Sequence, residues 1–140
     1  MRRLHARHGA QFMLFWSPGA ENNSLHPGDD VKAAEIVAAT HDLPLLPYST
    51  QNLADLIGGL SVCDAAILSD GGAMHVAAAL DKKIIALYGS SDPNFTPPLN
   101  PNARIISLNF DCSPCFKREC PLGHTRCLTD IKPDQVINII

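Results

Sequence analysis

The chain has 140 residues, 46% of them hydrophobic and 18% charged, which is apolar enough to build one core and too weakly charged for a disordered segment. Eleven basic against fourteen acidic residues leave a formal charge of -3, so the basic excess that draws a domain onto nucleic acid is missing and no nucleic-acid partner is expected. Four of the five cysteines crowd into residues 112–127, which speaks against a disulfide framework spread over a small secreted fold and suits a reducing cytoplasm.

The basic start, Met1 to His8, is followed by a short apolar run, Phe12 to Trp16, far below the length of a membrane span. A first strand is expected over 11–17, then a turn-rich loop over 18–29, with Asp29 or Asp30 capping a helix over 31–40. Ala33, Ala34, Ile36, Val37 and Ala38 give that helix a broad apolar stripe. A second strand is expected over 43–46. Ser49 or Thr50 then caps a helix in which Leu53, Leu56, Ile57 and Leu60 share a face and Gly58-Gly59 weakens the end.

A buried third strand over 63–69 runs into Asp70-Gly71-Gly72, where a helix begins and continues through Leu80. Residues 83–88 read as a fourth strand closed by the turn Gly89-Ser90-Ser91-Asp92-Pro93, and residues 104–108 as a fifth. The cysteine segment fits neither the helical nor the strand period, and Pro133 suits the first turn of a terminal helix. Strands alternating with helices imply an α/β fold with a parallel sheet and helices on both faces, as one domain over 1–140 with a Cys-rich loop at 109–129.

In such a sheet, ligands sit beyond the carboxyl ends of the strands, where a helix start presents unpaired amides and the positive end of its dipole. Gly71 and Gly72 let an anion approach the backbone closely, Asp70 can accept hydrogen bonds, and His75 lies one turn into the helix. An ordinary strand-to-helix turn has the same residues, and His75 also fits as a plain helix histidine. Neither G-x-G-x-x-G nor G-K-[ST] occurs, which removes the dinucleotide fingerprint and the P-loop.

Ser69-Asp70-Gly71-Gly72-Ala73-Met74-His75-Val76-Ala77-Ala78-Ala79-Leu80-Asp81, then Ile84 to Tyr88 and Gly89-Ser90-Ser91-Asp92-Pro93, closely resembles glycosyltransferase family 9, which contains the lipopolysaccharide heptosyltransferases. The resemblance covers residues 12–137 and implies the carboxyl-terminal, donor-binding half of a GT-B enzyme, itself Rossmann-like. Asp70, Gly71, Gly72 and His75 would then surround the diphosphate and sugar of an ADP-heptose-like donor. The amides of Gly71 to Ala73 would lie on phosphate, and the loop from Ser17 through Gly19 to Asn23 across the same site. By the same resemblance the general base and the lipopolysaccharide core acceptor belong to an amino-terminal half, transfer inverts the anomeric centre, and no cofactor is required. Asp70 is assigned to positioning the donor, no catalytic residue is assigned to this chain, and the chain alone is expected to be inactive. The work would be done in the cytoplasm, at the periphery of the inner membrane. A free-standing nucleotide-binding or interaction module is the alternative.

Two departures from the family pattern stand out. Gly71 occupies a position where Ser or Thr is usual, and the 17–23 loop has no lysine or arginine to neutralise a diphosphate. Lys82 and Lys83 lie at the far end of the helix.

Cys112, Cys115, Cys120 and Cys127 form C-x-x-C followed by gaps of four and six, with His124 between the last two. Structural zinc, reduced structural thiols and two disulfides all remain open, since the second C-x-x-C of a strong zinc pattern is missing. Cys63 reads as a small core residue. Trp16 and Tyr48 end strands and read as packing residues, Arg104, Lys117, Arg118 and Arg126 as solvated charges, and the remaining histidines as scattered.

Overall fold

Five short strands alternate with helices and pair only in parallel, because a helix or long loop intervenes between each strand and the next. The computed structural model describes residues 1–23 and 27–140, so 24–26 of the expected loop lie outside the described residues. The chain divides into two compact units, Met1–Gly59 and Leu60–Ile140.

In the first unit β1 (Phe12–Trp16) pairs with β2 (Leu45–Ser49), with Phe12 opposite Leu45 and Trp16 opposite Ser49. The second strand thus begins two residues later than its leucines suggest, since Leu43 closes a turn through its amide to the Thr40 carbonyl. Pro47 is tolerated because β2 has a ladder on one side only. The basic start is an unforeseen helix, α1 (Arg2–His8). Leu4 is buried, Gly9 ends the helix at φ 63°, and Arg2 reaches both Asp42 and the Ala39 carbonyl.

α2 (Asp30–Ala39) packs on both strands, but through a narrower face than its composition implies. Ala33 is buried and Val37 half-buried, whereas Ala34, Ile36 and Ala38 are exposed. α3 (Leu53–Ser61) is capped by neither Ser49 nor Thr50. The Asn52 side chain accepts from the Asp55 amide, and the Asp55 carboxylate accepts from the amide of Gln51, the residue before Asn52; Thr50 donates to the Trp16 carbonyl instead. Leu60 is buried and Leu56 half-buried, while Leu53 and Ile57 stay exposed.

In the second unit the strand order is β3 (Ala65–Ser69), β4 (Lys83–Tyr88), β5 (Ala103–Ser107). β4 is central, so it is apolar on both faces: Ile84, Ile85, Ala86 and Tyr88 are buried. β3 is an edge strand and only half-buried. Ala66 is buried and Leu68 partly so, whereas Ala65, Ile67 and Ser69 are exposed, the alternation of a strand covered on one face. α4 (Gly72–Ala79) packs on β3 and β4 through Met74, Ala77 and Ala78. The cysteine segment is irregular as expected except for one turn, α5 (Arg126–Thr129), held by the Thr125 carbonyl and the Arg126–Asp130 pair. α6 (Pro133–Ile137) starts at Pro133, and Gln135 accepts from the Lys132 amide.

The two glycines of α3 play opposite parts. A Cβ at Gly58 would meet nothing within 4 Å, whereas one at Gly59 would lie 2.9 Å from Tyr48 Cε1 and closer still to Phe15 Cε1, inside the edge-to-face pair those rings make. Gly58→Ala should therefore stabilise the chain by about 0.5–1 kcal/mol through helix propensity. Gly59→Ala should destabilise it by about 1–2 kcal/mol through overpacking. Urea unfolding midpoints measure both, and a stabilising Gly59→Ala would refute the close helix–ring packing.

Candidate functional site

The turn between β3 and α4 lies at the carboxyl end of a parallel strand. Gly71 caps α4, and its carbonyl accepts from the Met74 and His75 amides at 3.1 and 3.4 Å. The amides of Gly72 and Ala73 precede the first intrahelical bonds, so helix geometry gives them no partner within the helix. Gly71, Gly72 and His75 are exposed, and Asp70 and Ala73 half-buried. Asp70, Gly71, Gly72, Ala73 and His75 thus come together in one turn of chain.

Asp70 is anchored by residues whose part the sequence does not announce. Thr96 Oγ1 donates to Asp70 Oδ2 at 3.2 Å, and the Thr96 carbonyl accepts from the Tyr88 hydroxyl at 2.5 Å. That hydroxyl also lies 3.4 Å from Met74 Sδ. Tyr88 is fully buried, and desolvation, followed by the nearby Asp70 charge, pushes its hydroxyl above the ordinary tyrosine range. The loop that brings Thr96 to Asp70 is shaped by Asp92, whose side chain accepts from the Asn94 amide and whose carbonyl accepts from the Phe95 and Thr96 amides. Asx turns of this kind are visible in the pattern Asp92-Pro93-Asn94; the reach of Thr96 back to β3 is not.

Ser17 and Gly19 belong to the first unit. Their loop is closed by an acid rather than opened by a base. Asp30 accepts from the Gly19 amide at 2.9 Å and from Trp16 Nε1 at 2.7 Å, and the Ser17 carbonyl accepts from the Asp29 amide. The Gly19 amide is therefore committed within its own loop. Gly19 has φ 128°, and Gly28 packs so closely against its backbone that a Cβ there would clash. The role expected of Asp29 or Asp30 as a side-chain cap is not taken up: Asp29 is the N-cap without a side-chain cap bond, its carboxylate meeting Lys32, and Asp30 holds the loop. Tyr48 packs on Phe15, and Lys82 donates to the Ser61 carbonyl.

The four clustered cysteines line one cavity of about 110 Å³, with His124 and Lys117. All five cysteines are free thiols, and among the described residues no three His, Cys, Asp or Glu side chains are set to hold a metal ion. Backbone amides at Thr125 and Leu122, with lesser ones at His124 and Gly123, pull the Cys120 thiol below the ordinary cysteine range. Cys63 precedes β3 rather than lying in it, half-buried, and burial pushes its thiol up. Arg126 is exposed, as expected of a solvated charge, while lying over the Phe110 ring at 5.1 Å and pairing with Asp130.

The family model described as "Glycosyltransferase family 9 (heptosyltransferase)" matches residues 1–126. The chain belongs to this family. It is 44% identical over 78 residues to lipopolysaccharide heptosyltransferase 2 of Salmonella typhimurium strain LT2, a match covering 56% of this chain and 22% of that protein. With lipopolysaccharide heptosyltransferase 1 of Pseudomonas aeruginosa PAO1 the identity is 30% over 131 residues, 91% of this chain and 34% of the relative. Among solved structures, the E. coli ADP-heptose lps heptosyltransferase II superposes with a TM-score of 0.70 at 32% identity, over 92% of this chain and 34% of that one. A glycosyl transferase family 9 structure from Veillonella parvula shares the fold, with a TM-score of 0.65 at 19% identity. The chain spans about a quarter of the length of the first curated relatives it matches.

The loop geometry in this family member has a spectroscopic consequence. Trp16 is the sole tryptophan, and the Asp30 carboxyl is held below the ordinary carboxylate range first by the Trp16 indole N–H and then by the Gly19 amide. A carboxyl depressed on folding keeps its bonds above its unfolded value and loses them only as pH falls through the lowered one. Trp16 emission should therefore hold steady from neutrality to about pH 4 and shift only below it. In Asp30→Ala it should be shifted already at neutral pH, with no such step. A wild-type step well above pH 4 would sink this assignment.

Proposed function

We propose that this chain binds the nucleotide-activated sugar, an ADP-heptose-like donor, for heptosyl transfer onto lipopolysaccharide core. The observation that carries the reading is the exposed glycine turn at the carboxyl end of β3, which offers the Gly71–Ala73 amides and the α4 dipole to a diphosphate in a chain of glycosyltransferase family 9. The similarity to an ADP-heptose lps heptosyltransferase supports the choice of donor. Asp70, steadied by Thr96, accepts hydrogen bonds from the donor, and His75 reaches it from one turn into α4. The acceptor and the base come from an amino-terminal half, so this chain positions the donor and contributes no catalytic residue. The reaction takes place at the cytoplasmic face of the inner membrane; no described helix is long and apolar enough to cross a membrane.

Gly72 is the first residue of α4, where proline is well tolerated and where a Cβ would meet nothing within 4 Å. Gly72→Pro deletes one amide donor while keeping the helix. Titrating ADP into the purified chain should move the backbone amide resonances of residues 71–75 saturably. Gly72→Pro should weaken that binding about tenfold or more, the worth of one hydrogen bond to a charged group. Absence of any response at millimolar ADP, or full affinity in Gly72→Pro, would overturn the proposal.

A further inference from the structure

Residues 108–125 contain no helix or strand, which is long for a loop that belongs to a compact unit rather than to a linker. Its backbone is held by scattered bonds, among them the Ser113 amide to the Phe110 carbonyl, the Phe116 amide to the Ser90 carbonyl, and the Gly123 amide to the Cys120 carbonyl. Phe116 and Leu122 are largely exposed, with Phe116 meeting the Phe95 ring edge-to-face. A segment of this kind needs a cross-link to pay its ordering entropy. The side chains that converge within it are four thiols, from Cys112, Cys115, Cys120 and Cys127, around the same 110 Å³ cavity.

We propose that these four cysteines bind one zinc(II) ion as a structural, four-thiolate site. Four thiolates are the ligand count and type of a closed tetrahedral zinc site. The amides of residues 122–125 around Cys120 are the donors a metal-bound thiolate accepts. A zinc ion with four thiolates carries a net charge of -2, and Lys117 and Arg118, which line the same cavity, offset it. His124 is not a ligand: its Nδ1 accepts from the Arg126 amide, and four sulfurs already complete the shell. The thiols line the cavity, but no three of them are set to hold an ion as the loop stands; binding therefore requires the loop to draw inward, and the displaced thiol protons leave to solvent.

The test uses the whole chain, purified without a histidine tag, under reductant and with zinc supplied. Plasma emission spectroscopy should find about one zinc per chain, and cobalt(II) in its place should show thiolate-to-metal charge-transfer absorption. Cys115→Ser and Cys127→Ser should each lose the metal, while His124→Ala should keep it. Should the cysteine variants fail to fold, alkylation of the wild-type chain still decides: the metal-loaded protein should protect four thiols and leave Cys63, and a chelator should expose all five. Less than about half an equivalent of zinc, four thiols alkylated alike with and without chelator, or two disulfides in the isolated protein would overturn the proposal. Metal loss in His124→Ala would overturn the four-thiolate shell. None of these readouts depends on donor binding.

Discussion

The central position of β4 in its parallel sheet governs the second unit. With β3 on one side and β5 on the other, its backbone is paired at both edges, and Ile84, Ile85, Ala86 and Tyr88 are buried across its two faces. A polar side chain buried in that strand is tolerated only with a partner at its tip. Tyr88 ends the strand fully buried and satisfies its hydroxyl on the Thr96 carbonyl. That bond fixes the loop after β4, and the loop delivers the Thr96 hydroxyl to Asp70 at the end of the neighbouring strand. The candidate site thus takes its shape from a core requirement: satisfying one buried phenol places the group that orients the carboxylate.

The first unit solves a different problem. A loop without lysine or arginine has to return between β1 and α2, and it does so on an acid. Asp30 gathers the Trp16 indole and the Gly19 amide, Gly19 sits at φ 128°, and the Gly19 backbone leaves no room for a side chain at Gly28. An acidic, self-satisfied loop offers little to a diphosphate. On the proposed reading, the phosphate contacts therefore fall on the α4 amides and dipole, and the family's usual basic residue has no substitute in this loop.

Much of this architecture was legible in the chain. Residues 84–88 are apolar on both faces, and the strand 83–88 has the expected bounds. The glycine turn at 70–72 and Pro133 mark helix starts that the structure keeps. What failed depended on partners distant in sequence. α1 is held by Arg2 reaching Asp42, forty residues away, and nothing in Met1 to His8 announces that pair. The apolar stripe of α2 is narrower than its period implies, because alanines satisfy the period whether or not they are buried, and of these only Ala33 is. Ser49, Thr50 and Asn52 are all competent caps for α3, and the bond from the Asp55 amide to the Asn52 side chain selects Asn52. At the site, the sequence marked the turn but not Thr96 or Tyr88, whose roles arise from the tertiary path of the loop.

That loop also joins the site to the cysteine segment. Ser113 Oγ donates to the Gly89 carbonyl, the Phe116 amide donates to the Ser90 carbonyl, and the rings of Phe95 and Phe116 meet edge-to-face at 5.9 Å. Leu128 of α5 packs against Gly89 so closely that a Cβ there would clash with it. The turn after β4 is therefore braced from the cysteine side at Gly89, Ser90 and Phe95, one residue before the threonine that holds Asp70. A cross-link in the cysteine segment would stiffen that brace by removing conformers of the segment rather than by adding contacts at the site. The consequence for the glycine turn is entropic: Asp70 would spend more of its time in the orientation that Thr96 sets, with no change in the groups that face a ligand.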